Sequence, residues 1–346
     1  MRYEDLVEFD TKLTADVVEW CPLLSSKILA CGTYFLDKEK NKRLGCIYTI
    51  NLNDQFNHIE SMNQFDFDSS GILDLKWLNE TNLITIDSQN EFALFKYNQS
   101  ENTLSKINNL ILNEDEQNVS IGLTVDFLKQ NSQFKILTSD TLGYLSLIKL
   151  DNERSELERK FKAHDLETWS VLFDRQNMDI LYSGADDSQF KMWDLRLSDQ
   201  RPVGKCAIFD GGVTNILYPC RSDDPSLLLN GYSNNQILCS SYDERIYVLD
   251  KRNMKNSLKK SSRLGGGVWK MKVHPKKDML LLACMHYGVN IVNFDNFDPL
   301  FYYDKHGLDN LAYGCDWNNS NISPVYDIVA TCSFYNHSLR IWKLIH

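Results

Sequence analysis

Glycine and proline are scarce in this sequence, 16 and 7 of 346 residues, which excludes a collagen-like or disordered chain. Cations are outnumbered. The 37 Lys and Arg face 47 Asp and Glu, a net charge of −10. Broad nucleic-acid binding needs a basic face, so no nucleic-acid partner is expected. The longest uncharged run, 279–294, is sixteen residues long and contains His286 and two Asn. A membrane span needs about twenty predominantly apolar residues, so no membrane partner is expected. The first ten residues, MRYEDLVEFD, hold four acids and one Arg. They read as neither a secretory signal nor a transit peptide. No CxxC pair occurs, and the nine Cys are scattered and odd in number. A disulfide framework or closed zinc site is not expected, and a reducing, cytoplasmic setting is.

Catalytic signatures are missing as well. The chain has no GxSxG, HExxH or GxxxxGK[ST]. The GGG at 265–267 opens no phosphate loop, because no helix follows it. No metal or cofactor is expected. An active site, if present, is assembled from loops of several repeats.

What the chain does have is short apolar runs between polar turns. ILACGTYF (28–35), NLITID (82–87), EFALFKY (91–97) and YLSLIKL (144–150) are examples. They read as strands of an all-β fold. The polar stretches 98–109 and 113–118 read as loops, and the acidic run 114–116 as solvated. A repeat is visible: VLFDRQNMDILYSGADDSQFKMWDLR (171–196) and MKVHPKKDMLLLACMHYGVNIVNFD (271–295) share one strand–turn–strand–turn–strand plan. Positions equivalent to Trp193 are Thr49, Phe95, Ile148, Leu249, Asn293 and Trp342, so seven units occur at spacings of 44 to 56 residues. That is slightly above the roughly 40–45 residues of a WD40 repeat.

SGADDSQFKMWD (183–194) resembles the WD40 signature, with His164 where that family places its GH dipeptide. In that family Asp187 would hydrogen-bond to His164. The resemblance implies an all-β, seven-bladed WD40 β-propeller, one domain over residues 1–346. The last unit has no outer strand of its own, so segment 5–9 is expected to supply it and close the ring.

A finer resemblance rests on LTADVVEWCP (13–22), ILACGTY (28–34), ILDLKW (72–77), GGVWKMKVHP (266–275), LLLACMHYG (280–288), YGCDW (313–317) and ATCSFYNHSLRIW (330–342). Together these resemble the WD-repeat diphthine methyl ester hydrolases of the diphthamide pathway, a family also called diphthine methyltransferase. The resemblance implies a carboxylic ester hydrolase. It would remove a methyl ester from the modified histidine of translation elongation factor 2, before amidation to diphthamide. The elongation factor would be the protein partner, alongside other enzymes of that pathway.

Residues starting the inner strands in register are Asp16, Leu73, Leu123, Trp169, Val213, Trp269 and Tyr313. Units 6, 7 and 1 also share Cys31, Cys284 and Cys332 at one aligned position, and Tyr34, Tyr287 and Tyr335 at another. Diphthine carries a trimethylammonium group, which aromatic faces and a carboxylate hold well. Trp269, Trp169 and Tyr313, with Asp16, are the candidates. Ester hydrolysis further needs a base and oxyanion donors. His286 or His337 is the candidate base, Ser333 or a water the nucleophile, and Tyr335 or Tyr34 the oxyanion donor. The remaining Trp residues read as core. Two other readings stay open: a non-enzymatic scaffold, with WDLR (193–196) resembling a ubiquitin-ligase adaptor motif, and a reader of a methylated cation.

Overall fold

Inner and outer strands are built differently here, and burial shows why. An inner run such as Met279–Ala283 is buried throughout and wholly apolar. An outer run such as Ile59–Phe67 alternates, because one face meets water. The computed structural model describes residues 1–22, 27–113, 119–197, 201–221, 224, 226–319 and 323–346. The acidic run 114–116 lies outside them.

Strand β1 (Arg2–Asp10) precedes the first sheet, β2 (Thr14–Trp20), β3 (Ile28–Asp37), β4 (Lys42–Leu52) and β5 (Ile59–Phe67). The second sheet is β6 (Ile72–Trp77), β7 (Asn82–Asp87), β8 (Glu91–Asn98) and β9 (Thr103–Ile111). The third is β10 (Gly122–Gln130), β11 (Gln133–Asp140), β12 (Tyr144–Asp151) and β13 (Arg154–Lys162). The fourth is β14 (Ser170–Phe173), β15 (Ile180–Gly184), β16 (Phe190–Asp194) and β17 (Gly204–Cys206). The fifth is β18 (Val213–Leu217), β19 (Gln236–Ser241), β20 (Ile246–Asp250) and β21 (Asn253–Lys260). The sixth is β22 (Lys270–Val273), β23 (Met279–Ala283), β24 (Val289–Asn293) and β25 (Pro299–Tyr303). The seventh is β26 (Ala312–Trp317), β27 (Tyr326–Ser333) and β28 (Ser338–Ile345), with β1 as its fourth strand.

Seven four-stranded antiparallel sheets make the fold a seven-bladed β-propeller. All seven positions equivalent to Trp193 fall on third strands. The N-terminal segment pairs along β28 from Arg2↔Ile345 to Asp10↔Ser338, longer at both ends than the expected 5–9. Stretch 98–109, read as a loop, is a turn followed by most of β9; its Asn-rich sequence alternates as an outer strand.

The chain divides into two compact units. One holds Met1–Gly122, His286–Val289 and Phe301–His346; the other holds Leu123–Met285 and Asn290–Leu300. In the first unit, Ile328, Ala330 and Ile341 of the seventh blade pack against Leu29, Cys46 and Tyr48 of the first. The first blade in turn packs on the second, through Val17 and Ile47 with Ile72 and Leu75. In the second unit, Leu137 and Phe161 meet Val171 and Trp193. Tyr182 and Phe190 meet Val213 and Tyr247. Leu238 and Val248 meet Met271 and Leu280. The sheets approach closely at glycine. A Cβ on Gly184 would strike Val213 Cγ1, and one on Gly314 would strike Cys332 Sγ and the backbone of Val18. Trp20, Trp77, Trp193, Trp317 and Trp342 are all buried, as core residues should be.

Candidate functional site

Bulges shape the inner strands. The pairing of β2 slips between Ala15 and Val17, which sets off Asp16, buried at 8% exposure. The same slip occurs in β26 between Ala312 and Cys315, setting off Tyr313 and Gly314. An extra residue per bulge re-aims a side chain without ending the strand. In the first unit these two starts adjoin, since Cys332 Sγ lies 3.6 Å from the Ala15 carbonyl oxygen. Tyr34 pairs with Thr14 across the same sheet.

The turn between β27 and β28 carries Phe334, Tyr335, Asn336 and His337. The Tyr313 ring lies 5.1 Å from that of Phe334 at 32°, and Phe334 meets Tyr335 edge-on at 5.4 Å and 85°. Tyr335 is 57% exposed. His337 has φ 55, and its carbonyl accepts from the Thr11 amide at 2.9 Å and the Thr11 hydroxyl at 3.0 Å. Ser333 is wholly buried and its hydroxyl donates to Asn336 Oδ1. The structure therefore brings together Tyr313, Ser333, Tyr335 and His337, with Asp16 and Tyr34 on the adjoining sheet. His286 lies in a separate exposed turn. There the Tyr287 ring meets that of Tyr302 at 4.7 Å and 33°, and the Tyr302 hydroxyl donates to the Tyr287 carbonyl. Phe334 escaped the sequence reading, although the aromatic pair Phe334-Tyr335 in a strand turn was its signal.

In the second unit Trp169 and Trp269 meet with centroids 5.0 Å apart and planes 59° from parallel. Both indoles are part-exposed. Trp269 is fixed through its amide, which donates to Ala283 at 2.8 Å. Two tilted, partly open indoles present ring faces of the kind that attract a cation.

A buried relay marks the fourth blade. His164 Nδ1 lies 2.9 Å from Asp187 Oδ2, His164 Nε2 lies 2.7 Å from Ser183 Oγ, and Trp193 Nε1 donates to Ser183 Oγ at 2.9 Å. One proton arrangement satisfies all three: indole to hydroxyl, hydroxyl to Nε2, and Nδ1–H to carboxylate. Burial pushes the His164 pKa down, against the upward pull of Asp187. The seventh blade repeats this with His306, Thr331 and Trp342, at 2.9 Å and 3.2 Å. Among the described residues no carboxylate stands there, and His306 Nδ1 has no hydrogen-bond partner. Burial, with a smaller push from Arg340, takes the His306 pKa down to about 3. Sequence reading missed His306, because no GH dipeptide marks it.

The three aligned cysteines do not share a register position. Cys31 pairs with Tyr48, one residue before Thr49, whereas Cys332 pairs with Leu339, three before Trp342. All three are buried, and burial raises the pKa of Cys31 and takes that of Cys284 up to about 12, so neither is a thiolate. Arg196 of the WDLR stretch folds back on Asp194, 2.6 Å away. An open groove of about 640 Å³ lined by Thr81, Lys96, Tyr97 and Ser100 contains none of the candidate residues. Among the described residues no group of three His, Cys, Asp or Glu is placed to hold a metal, and no helix is long and apolar enough to cross a membrane.

No family model matches the chain. Curated relatives do. The chain is 29% identical to "Diphthine methyltransferase homolog" of Dictyostelium discoideum, over 95% of its own length and 96% of the relative's. It is 28% identical to "Diphthine methyltransferase" of Saccharomyces cerevisiae, over 92% and 94%. These names overturn the expectation of a carboxylic ester hydrolase that removes a methyl ester, because they describe transfer of a methyl group. The resemblance found the family but drew the opposite reaction from it, and no residue motif was there to fix the direction. At 31% identity to "Diphthine methyltransferase" of Homo sapiens, over 89% of its own length and 73% of that protein's, the chain belongs to the diphthine methyltransferase family.

Proposed function

We propose that the chain acts in the diphthamide pathway, in the cytoplasm, transferring a methyl group to diphthine on translation elongation factor 2. The observation that carries this is the Trp169–Trp269 pair, two part-exposed indoles 5.0 Å apart. A quaternary ammonium gains most where ring faces replace its weak hydration, about 0.5–2 kcal/mol per contact. The relatives' names supply the reaction type.

The transfer balances without a proton. A carboxylate oxygen of diphthine attacks the methyl carbon of a sulfonium donor. The carbon–sulfur bond breaks, sulfur keeps the electron pair as a neutral thioether, and the ester forms. Such a reaction consumes a methyl donor as co-substrate, beyond the sequence expectation of no cofactor. It depends mainly on alignment and exclusion of water. Tyr313, Tyr335 and His337 are the side chains proposed to position the elongation factor, with Asp16 and Tyr34 beside them. His286 is proposed as a second contact to it. Ser333, enclosed with Asn336, is assigned no chemistry.

The test is the mass of the diphthine-bearing peptide of elongation factor 2 after incubation with the chain and a sulfonium donor. A gain of one methyl group supports the reading. An unchanged mass, or a loss of methyl from an already methylated peptide, overturns it.

A further inference from the structure

Residues 251–277 contain ten Lys and Arg and not one Asp or Glu, leaving 27 bases against 47 acids elsewhere in the chain. The run begins after Asp250 and ends before Asp278. Lys251 and Arg252 are paired with Asp174 and Asp250, and the cations open to a partner begin on β21, the outermost strand of the fifth blade. Of the seven outer strands, β21 is the one that carries three cations and no acid. Lys255 and Lys260 are exposed, and neither has an ion-pair partner among the described residues. Lys259 lies over the Phe297 ring, 4.9 Å from its centroid, which holds that ammonium beside the edge. Leu258 stands between them at 56% exposure. Arg263 continues the patch and reaches Glu244 only at 4.0 Å.

We propose that this β21 edge docks an acidic protein surface. Charge complementarity names the partner: Lys255 and Lys260, exposed and without an acidic partner among the described residues, attract anions on an otherwise acidic chain that repels them elsewhere. The short span of the patch favours a protein over a nucleic acid. A polyanion of uniform charge would run past the patch onto the acidic remainder, whereas an acidic protein patch can be matched in size. Leu258 offers apolar contact within the charged rim, as protein interfaces do. A guard against edge-to-edge pairing needs one or two charges, whereas β21 carries three of one sign and no acid around an exposed Leu. The proposal stands whether or not the methyl transfer holds.

The test uses the full chain and a fluorescently labelled glutamate-rich peptide, its glutamine counterpart, and a single-stranded RNA of equal length. Binding is read by anisotropy at low and moderate salt. Expected are binding of the glutamate peptide that weakens with salt, a loss of about tenfold in the K255E/K260E double variant, and little change in K38E/K40E. The control makes the same charge change on an exposed turn of the first blade. Three results overturn the proposal: no preference for glutamate over glutamine, equal loss in both double variants, or tighter binding of RNA lost in K255E/K260E. Unchanged thermal unfolding in both variants excludes a folding artefact.

Discussion

The ring of Tyr303 lies flat on that of Trp342, 4.3 Å between centroids and 5° from parallel, and its hydroxyl donates to Asp5 at 2.6 Å. One side chain thus joins the ends of β25, β28 and β1. The Tyr303 hydroxyl is held protonated, burial being the main cause and Asp5 the next. Tyr303→Phe removes only the hydrogen bond and is expected to cost about 1 kcal/mol. Tyr303→Ala also removes the stack and is expected to cost about 4 kcal/mol. Equal losses in thermal unfolding would show that the stack contributes nothing.

Removing the carboxylate of the fourth-blade relay should be expensive. Asp187→Ala leaves the buried Nδ1–H of His164 without its acceptor, at a cost of about 2–3 kcal/mol. The seventh blade already lives without that carboxylate, so His306 should tolerate changes that His164 does not. Chemical denaturation of Asp187→Ala, His164→Gln and His306→Gln decides this. A larger loss at His306 than at His164 would contradict it.

The pH dependence has a defined sign. His306 has a folded pKa near 3 against about 6.5 unfolded, so as pH falls the unfolded chain takes up this proton first. Its contribution is fully present above about pH 6.5 and is lost down to about pH 3, at up to about 1.4 kcal/mol per pH unit. The stability difference between the native chain and His306→Gln should therefore shrink between pH 7 and pH 4. A constant difference would mean that His306 is not buried in its neutral form.

Two glycines separate strain from crowding. Gly143 has φ +79, and a Cβ there would strike the His164 backbone carbonyl; Gly231 has φ +80 and nothing within 4 Å. Gly231→Ala should cost about 1 kcal/mol, the left-handed penalty alone. Gly143→Ala should cost clearly more. Matching unfolding midpoints would rule out the clash.

For the tryptophan pair, Trp169→Ala and Trp269→Ala should each weaken binding of tetramethylammonium by about tenfold, at the upper end of cation–π contributions. Calorimetric titration checks this. Unchanged affinity in both variants would remove the pair from the proposed site.

The propeller was legible because its signal repeats. Seven third strands followed from one aligned Trp193, and the missing outer strand of the seventh unit pointed to β1. The site was harder to read. Tyr313 and Tyr335 were visible as aromatics at turns, but Phe334 joins them only through folding. The cysteine alignment failed because Cys31 and Cys332 sit at different heights on their second strands, opposite Tyr48 and Leu339, and sequence spacing does not reveal that. His306 stayed hidden because its partners, Thr331 and Trp342, are distant in sequence and the telltale carboxylate is absent. The reaction's direction was not legible at all, since methyl transfer and methyl removal ask for the same cation-binding surface.

The pairing of β1 with β28 also carries a cost in time. Arg2 has Ile345 as its partner, so β1 is made long before β28 and waits for it before it can settle. Until then β28 has an open edge and β1 is a loose acidic ribbon. Its Glu4, Asp5, Glu8 and Asp10 keep that ribbon hydrated and self-repelling while it waits, so the acidity of β1 guards a late pairing step.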